Sequence, residues 1–435
     1  MSSPDPALQQ HLLVDARRAA EHGHLDEARA AYGRLLDHSP ENIEALNFLA
    51  MLALSDGRPV PARQLLQRAL AAAPDDGPTR KNLGVVLLQT GNPPEAEQVL
   101  REAVQLDPAF FVARLYLGVA HERLGNTRAA IVEYFKAIAT AQAVRQWSSP
   151  ATTPVGLRPV VEHAMVVARR GRRQLLAAVL ARFHDRFGHQ AMERMDRCLS
   201  AYLGDVVARP PDPLQKPEFL YFPDLPSKPF LPRGCFPWYD DLEAATDDIR
   251  GELLSVLGDQ PQLEPFLGAP PPGMKSSYLD AHGDADAPRW DAFFFHRHGR
   301  RYDQNCGRCP ATAAALDRTP LVHIHKHAPE ALFSVLGPGS HILPHYGVTN
   351  TRVVTHLPLV VPAGCELRVA GERHAWQPGR CVTFDDTFEH EAWNNSDQTR
   401  VILLFDVWNP YLTDAERTAL AELVPAIGEL TAEAI

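Results

Sequence analysis

Positive charge is in short supply in this chain. Its 435 residues carry 43 Lys and Arg against 53 Asp and Glu, a formal net charge of −10. Binding to nucleic-acid phosphates needs clustered cations, and no basic stripe stands out against that deficit, so a nucleic-acid partner is not expected. Long apolar runs are scarce as well. LLAAVLA at Leu175–Ala181 is the longest beside a helical pattern and is far too short to span a bilayer. The opening MSSPDPALQQ shows neither a basic n-region nor an apolar h-region, so no secretory signal is read there and a soluble cytoplasmic protein is expected. Six cysteines in so large a chain make no disulfide framework. Cys306 and Cys309 form a CxxC, but no second pair exists to complete a tetrahedral zinc site. A packed or loop role is expected for them, with redox or metal chemistry as the alternative.

What remains is an ordinary globular composition, 45% apolar and 22% charged, which argues against wholesale disorder. The length exceeds one core, so two or three domains are expected. The first third is periodic. Glycines recur every 34 residues at Gly23, Gly57, Gly91 and Gly125, and alanines keep step at Ala28, Ala62, Ala96 and Ala130. Prolines follow at Pro40, Pro74 and Pro108, Tyr32, Leu66, Leu100 and Tyr134 share one register, and Gly84 and Gly118 share another. Small residues let paired helices approach, the glycine breaks the first helix, and the proline stops the second. This pattern resembles the tetratricopeptide repeat, with four units over roughly residues 9–144. The resemblance implies an all-α solenoid at residues 1–150 whose groove binds a protein or peptide, a spacer or oligomerisation arm being the alternative.

Residues 151–208 stay helical but lose the repeat, as a capping helical pair would. Nine prolines between Arg209 and Pro237 make residues 209–237 an extended connector that marks the domain boundary, with Phe and Tyr residues to pack along a surface. Residues 238–412 open on an amphipathic helix. From Ser334 to Pro410 they become short β-rich runs, such as RVVTHLPLVV, ELRV, RCVTF and TRVILLFDVW, between Gly, Pro and Asn clusters. That is the rhythm of a small antiparallel barrel or jelly roll. The last segment, 413–435, begins with a capping box, Thr413 to Glu416, and reads as a terminal helix. The fold class expected is therefore multidomain α plus β.

His345 in ILPHYG and His390 in FEHEAW lie at opposite ends of this β-rich stretch, and neutral imidazole is a good ligand for iron, copper or zinc. A facial triad would place a carboxylate two residues after the first histidine, but that residue is Gly347. If the run is an extended strand, Asp386, Phe388 and His390 share a face, so Asp386 is the nearest candidate, more plausibly through a water. Arg400 opens the apolar strand VILLFDVW. There it is either paired with an internal carboxylate or waiting for a ligand's carboxylate, which its planar fork suits. His356 and Ser334 are placed to add hydrogen bonds to the same anion. HIHKH (His323, His325, His327) reads as an edge or entry strand and RHGRRYDQN (Arg297–Asn305) as a solvated polar loop.

At this point the region from about Trp238 to Pro410 resembles the aspartyl/asparaginyl β-hydroxylase family of iron(II)- and 2-oxoglutarate-dependent oxygenases. The segments that carry the likeness are FSVLGPGSHILPHYGVTNTR, HLPLVVPAGCELRV, FDDTFEHEAWN and RVILLFDVWNP. The resemblance implies a double-stranded β-helix (jelly-roll, cupin-like) catalytic domain. It implies His345 and His390 as iron ligands with no protein carboxylate completing the set, and Asp386 as a carboxylate close behind them. Ser334 and Arg400 would hold the distal carboxylate of 2-oxoglutarate, and His356 would position the other end. Iron(II), 2-oxoglutarate and dioxygen would be the cofactor and cosubstrates.

One position departs from the pattern: some members carry a second arginine where this chain has Val354, leaving Arg352 for an acidic substrate group, if it is not merely a strand-end arginine. The expected activity is hydroxylation of aspartyl or asparaginyl residues of a protein recruited by the repeats. The alternatives are the same chemistry on a small molecule or lipid acyl chain, and a non-catalytic repeat protein with a degenerate barrel.

Overall fold

A computed structural model describes residues 6–258, 263–266, 278–281 and 288–431. Eight helices form four antiparallel pairs: α1 (Pro6–Glu21) with α2 (Leu25–His38), α3 (Ile43–Ser55) with α4 (Pro59–Ala72), α5 (Gly77–Gln89) with α6 (Pro93–Leu106), and α7 (Phe111–Arg123) with α8 (Thr127–Ala143). The repeating glycines do what the period required. Gly23, Gly57, Gly91 and Gly125 sit between the paired helices at φ +70 to +77, the left-handed region that favours glycine. Gly84 and Gly118 serve close packing instead. A Cβ there would come within 2.4 Å of Leu100 and 2.5 Å of Tyr134, the large residues one helix on.

The long helix α9 (Arg158–Phe187) and α10 (His189–Tyr202) follow. Residues up to Leu175, with the chain from Gly428, form one compact unit, and Leu176–Ile427 form a second. The boundary therefore falls inside α9, not in the proline-rich connector. The connector belongs to the sheet unit: Gln215, Leu220, Phe222 and Leu225 are buried, and bridges run from Gln215 to Phe388, Leu220 to Thr349 and Phe230 to Phe384. Proline prevents regular pairing, so the segment lies as a strap making single bridges.

The rest of this unit holds α11 (Tyr239–Ala244), α12 (Thr246–Gly258), α13 (Asp303–Arg308), α14 (Pro310–Asp317) and the start of α15 (Asp414–Thr431). Its strands among the described residues are twelve: β1 (Glu264–Pro265), β2 (Leu279–Ala281), β3 (Trp290–Arg297), β4 (Arg300–Arg301), β5 (Ala331–Leu336), β6 (Ser340–His345), β7 (Arg352–Val360), β8 (Cys365–Val369), β9 (Glu372–His374), β10 (Val382–Phe384), β11 (His390–Asn394) and β12 (Arg400–Trp408). They form two antiparallel sheets, β1-β3-β5-β12-β7-β10 with β4 on β3, and β2-β6-β11-β8-β9. The sheets begin upstream of Ser334, because β3 pairs with β5.

Side-chain alternation gives the larger sheet two different faces. Val401, Leu403, Phe405 and Val407 of β12 join Val353 and Leu357 of β7 in a core with Ile249 and Leu253 of α12 and Leu316 of α14. The opposite face turns toward the second sheet. Leu336, Val354 and Phe384 pack there with Ile342, Leu367 and Ala392, and between the sheets the packing opens into a cavity. At the end of the unit Thr413 and Glu416 form the expected capping box, with backbone-to-side-chain bonds of 2.8 and 3.3 Å. Residues 432–435 of the expected terminal helix lie outside the described residues. Among the described residues no helix is long and apolar enough to cross a membrane.

Candidate active site

The cavity between the sheets has a volume of about 620 Å³. Ser334, His345, Arg352, His356, Asp386, His390 and Arg400 all line it, so the fold gathers the residues read from the sequence as metal, cosubstrate and substrate candidates. They come from β5, β6, β7, the β10–β11 turn, β11 and β12.

His345 and His390 are direct cross-strand partners in the β6–β11 pairing, with ring centroids 4.0 Å apart. Each ring is oriented by its own backbone: Nδ1 of His345 lies 2.8 Å from the Leu343 carbonyl oxygen, and Nδ1 of His390 lies 3.0 Å from that of Phe388. A carbonyl only accepts, so Nδ1 carries the proton and Nε2 keeps its lone pair. Burial lowers both pKa values, that of His390 to about 3 with help from the neighbouring His345, so both rings are neutral near pH 7. No third His, Cys, Asp or Glu among the described residues joins them in a set of three metal donors.

Asp386 is not on a strand. β10 ends at Phe384 and β11 begins at His390, so the alternation argument for its facing fails and a turn places it instead. Its carboxylate occupies the space a side chain at 347 would need: a Cβ on Gly347 would meet it at 2.2–2.4 Å. The space left by the missing side chain at 347 is thus taken by a carboxylate from another part of the chain. Asp386 Oδ1 is buried without a hydrogen-bond partner among the described residues, and burial pushes the group up to about 7 although Arg352 opposes this. The strap fixes the turn. Gln215 donates to Asp385 Oδ2 at 2.7 Å and to Thr387 Oγ1 at 3.1 Å, and the Lys216 N–H donates to the Thr387 carbonyl at 2.8 Å.

Arg400 is 1% exposed and, among the described residues, has no carboxylate within ion-pair distance. Its Nη1 reaches Ser334 Oγ at 3.5 Å, its Nε has no acceptor, and its plane lies 4.9 Å from the Trp376 ring centre. Burial lowers its pKa to about 10. The same Ser334 oxygen accepts from Trp290 Nε1 at 3.0 Å, so its own proton is free to donate. His356 is buried with Nδ1 unpaired, and burial with Arg400 nearby holds its pKa well below the usual imidazole value.

Arg352 opens β7, the strand-end position expected, but it lines the cavity and is not a surface arginine: Nη1 donates to Asp406 Oδ1 at 2.5 Å and Nη2 lies 3.9 Å from Asp386 Oδ2. The carboxylate partner absorbs the charge. HIHKH is not a strand either. Residues 325–327 form a turn with Lys326 at φ 60, so the alternation puts no row of imidazoles on a sheet face, although His327 reaches the cavity. RHGRRYDQN folds as the β3–β4 hairpin and the start of α13, and its Arg297 and His298 also line the cavity. Cys306 and Cys309 are buried free thiols, raised by burial, as packing residues would be. The sequence reading missed Gln215, Glu330, Trp376 and Asp406. Only Asp406 left a signal, as a lone carboxylate in an apolar strand at even spacing from Arg400.

Two facing antiparallel sheets with a cavity between them are the arrangement of the double-stranded β-helix class. The family model described as Aspartyl/Asparaginyl beta-hydroxylase matches residues 243–410, and two tetratricopeptide repeat models match 19–83 and 81–145. Aspartate beta-hydroxylase domain-containing protein 2 of Rattus norvegicus is 32% identical over 254 residues, 58% of this chain and 70% of the relative. Its Mus musculus counterpart is 32% identical over 60% of this chain and 73% of the relative. Aspartyl/asparaginyl beta-hydroxylase of Homo sapiens is 38% identical over 132 residues, 30% of this chain and 17% of that protein. The chain belongs to the aspartyl/asparaginyl β-hydroxylase family and carries tetratricopeptide repeats ahead of that domain.

Proposed function

We propose that this chain is an iron(II)- and 2-oxoglutarate-dependent hydroxylase of an aspartyl or asparaginyl residue in a protein, with the repeats as the recruiting surface. The observation that carries the reading is the His345–His390 pair, two neutral imidazoles with Nδ1 tied to carbonyls and Nε2 bare. Such a donor set fits a divalent metal, because the second hydrogen bond fixes both tautomer and ring orientation. His345 and His390 would hold the metal, which with 2-oxoglutarate and dioxygen supplies the oxidising power that no protein side chain has.

This chain's residues then bind and orient. Arg400 and the donating hydroxyl of Ser334 form an anion clamp for the distal carboxylate of 2-oxoglutarate. A buried guanidinium without an anion is costly, and a dicarboxylate relieves that cost. His356, neutral, offers a hydrogen bond between clamp and histidine pair. Asp386, steered by Arg352, gives the histidine pair a carboxylate neighbour without occupying a ligand position. The reading of the repeats as a recruiting surface rests on their class, which commonly binds peptides in its groove.

The test is anaerobic titration of the full chain with iron(II) and 2-oxoglutarate, then succinate release once oxygen and substrate are added. Tight 2-oxoglutarate binding that depends on iron is expected. Its absence defeats the enzyme reading, and a His345→Ala protein that still binds metal normally defeats the ligand assignment.

A further inference from the structure

We propose that Trp376 is a positioning residue for the cosubstrate clamp: its ring face holds the Arg400 guanidinium in the plane that a ligand's distal carboxylate needs. This rests on the proposed hydroxylase function and adds to it a residue outside the cavity lining. Little else orients Arg400. Among the described residues its one hydrogen bond is the contact with Ser334 Oγ, long at 3.5 Å, and its Nε has no acceptor. A guanidinium grips a carboxylate through a planar fork of two parallel N–H bonds, so its tilt matters as much as its place. A long side chain with several free torsions keeps that tilt only if something flat lies against it. The Trp376 ring does, with the guanidinium carbon above it at 4.9 Å from the centre. The ring quadrupole attracts a cation so placed, most strongly where water is excluded. Water is excluded here, since Arg400 is 1% exposed and Trp376 5%.

Trp376 is itself fixed. It stands between β9 and β10, just ahead of a turn in which the Arg380 N–H donates to the Gln377 carbonyl at 3.0 Å. In the same turn the Gly379 N–H donates to the Pro358 carbonyl of β7 at 2.9 Å. The indole packs in one cluster with Leu336, Leu367 and Phe384, and its ring centre lies 5.8 Å from that of His356. One side chain thus backs two members of the clamp that come from different strands. The indole N–H is buried with no acceptor among the described residues. A buried Trp usually completes that bond, and leaving it unmade carries a cost that a phenyl ring would avoid. Hydrogen bonding therefore does not account for an indole at this position, whereas its broad ring face beneath a buried cation does.

The test is calorimetric titration of the full chain loaded with manganese(II), with 2-oxoglutarate and, separately, with oxalate. Oxalate offers a metal two carboxylate oxygens but has no distal carboxylate, so it reads the histidine pair and not the clamp. Trp376→Met keeps an apolar side chain and removes the ring face, and is expected to weaken 2-oxoglutarate by roughly tenfold or more and oxalate by under about twofold. Trp376→Phe keeps a smaller face and is expected to weaken 2-oxoglutarate by about threefold, again sparing oxalate, and it carries the test should Trp376→Met not fold. Folded variants that bind 2-oxoglutarate as wild type does overturn the proposal. So does an equal loss of both ligands, the mark of a residue that merely fills space. Failure of the hydroxylase reading is visible separately, as wild-type protein that takes up neither manganese nor 2-oxoglutarate.

Discussion

Gly347→Ala isolates the contact on which the histidine pair's neighbour depends. Gly347 has no positive φ, so alanine meets no backbone penalty there, and the whole effect comes from space. The new methyl would lie 2.2–2.4 Å from all three carboxylate atoms of Asp386. Relief by a simple side-chain swing is blocked, because Asp386 is 6% exposed, its turn is strapped by Gln215, and its carbonyl accepts the Gly347 N–H at 2.6 Å. Overpacking of this kind costs about 1–3 kcal/mol. For a unit of this size about 2 kcal/mol corresponds to a midpoint loss of roughly 4–8 °C. If the histidine pair holds a metal as proposed, displacing the carboxylate beside it is expected to weaken metal binding by roughly 10–100-fold. Both effects should collapse when the obstacle is removed. In an Asp386→Ala background, Gly347→Ala is expected to cost under about 0.5 kcal/mol, a coupling that a double-mutant cycle reads directly. Calorimetry of the four proteins, with manganese titrations of each, is the assay. A Gly347→Ala protein as stable and as metal-competent as wild type, or equal costs in both backgrounds, would refute the reasoning.

Four further outcomes follow from charges held out of water. Arg400→Met removes a buried guanidinium that lacks an anion, so the ligand-free protein should gain about 1–3 kcal/mol in denaturant melts while losing all stabilisation by 2-oxoglutarate. Burial raises Glu330 from 4.5 to about 7. A raised acid stabilises fully below the unfolded value and loses that contribution as pH climbs through 7, so Glu330→Gln should flatten the stability profile between about pH 4.5 and 7 by an amount on the order of 3 kcal/mol. His390, depressed to about 3, works in the opposite direction, and its contribution falls away as pH drops below about 6.5. Gln215→Ala leaves Asp385, 2% exposed and pushed up to about 6 by burial, short of a donor, and should cost about 1–3 kcal/mol by urea unfolding while loosening metal binding through the adjacent Asp386.

The parts legible in the sequence are those whose partners lie at a fixed step along the chain. Each helix pair of the repeat packs on its neighbour about 34 residues on, so Gly118 against Tyr134 repeats the geometry of Gly84 against Leu100. The period states the contact several times over. Arg400 was legible because it opens an apolar run, and the structure buries it at the start of β12. Strand alternation applied to residues 385–390 misled, because it holds only while the backbone stays extended, and a turn interrupts it.

Arg352 escaped for a different reason. Strand position says which face a side chain occupies but not whether its charge is already balanced, and the balancing groups come from the β10–β11 turn and from β12. Gly347 gives the sharpest case. On the page it is a ligand position without a ligand. In the fold it is a vacancy shaped for a carboxylate 39 residues downstream, so the missing side chain and Asp386 are two halves of one arrangement. A residue's absence carries information only when the sequence also says what fills the space, and antiparallel sheets joined by long connections keep those two statements far apart.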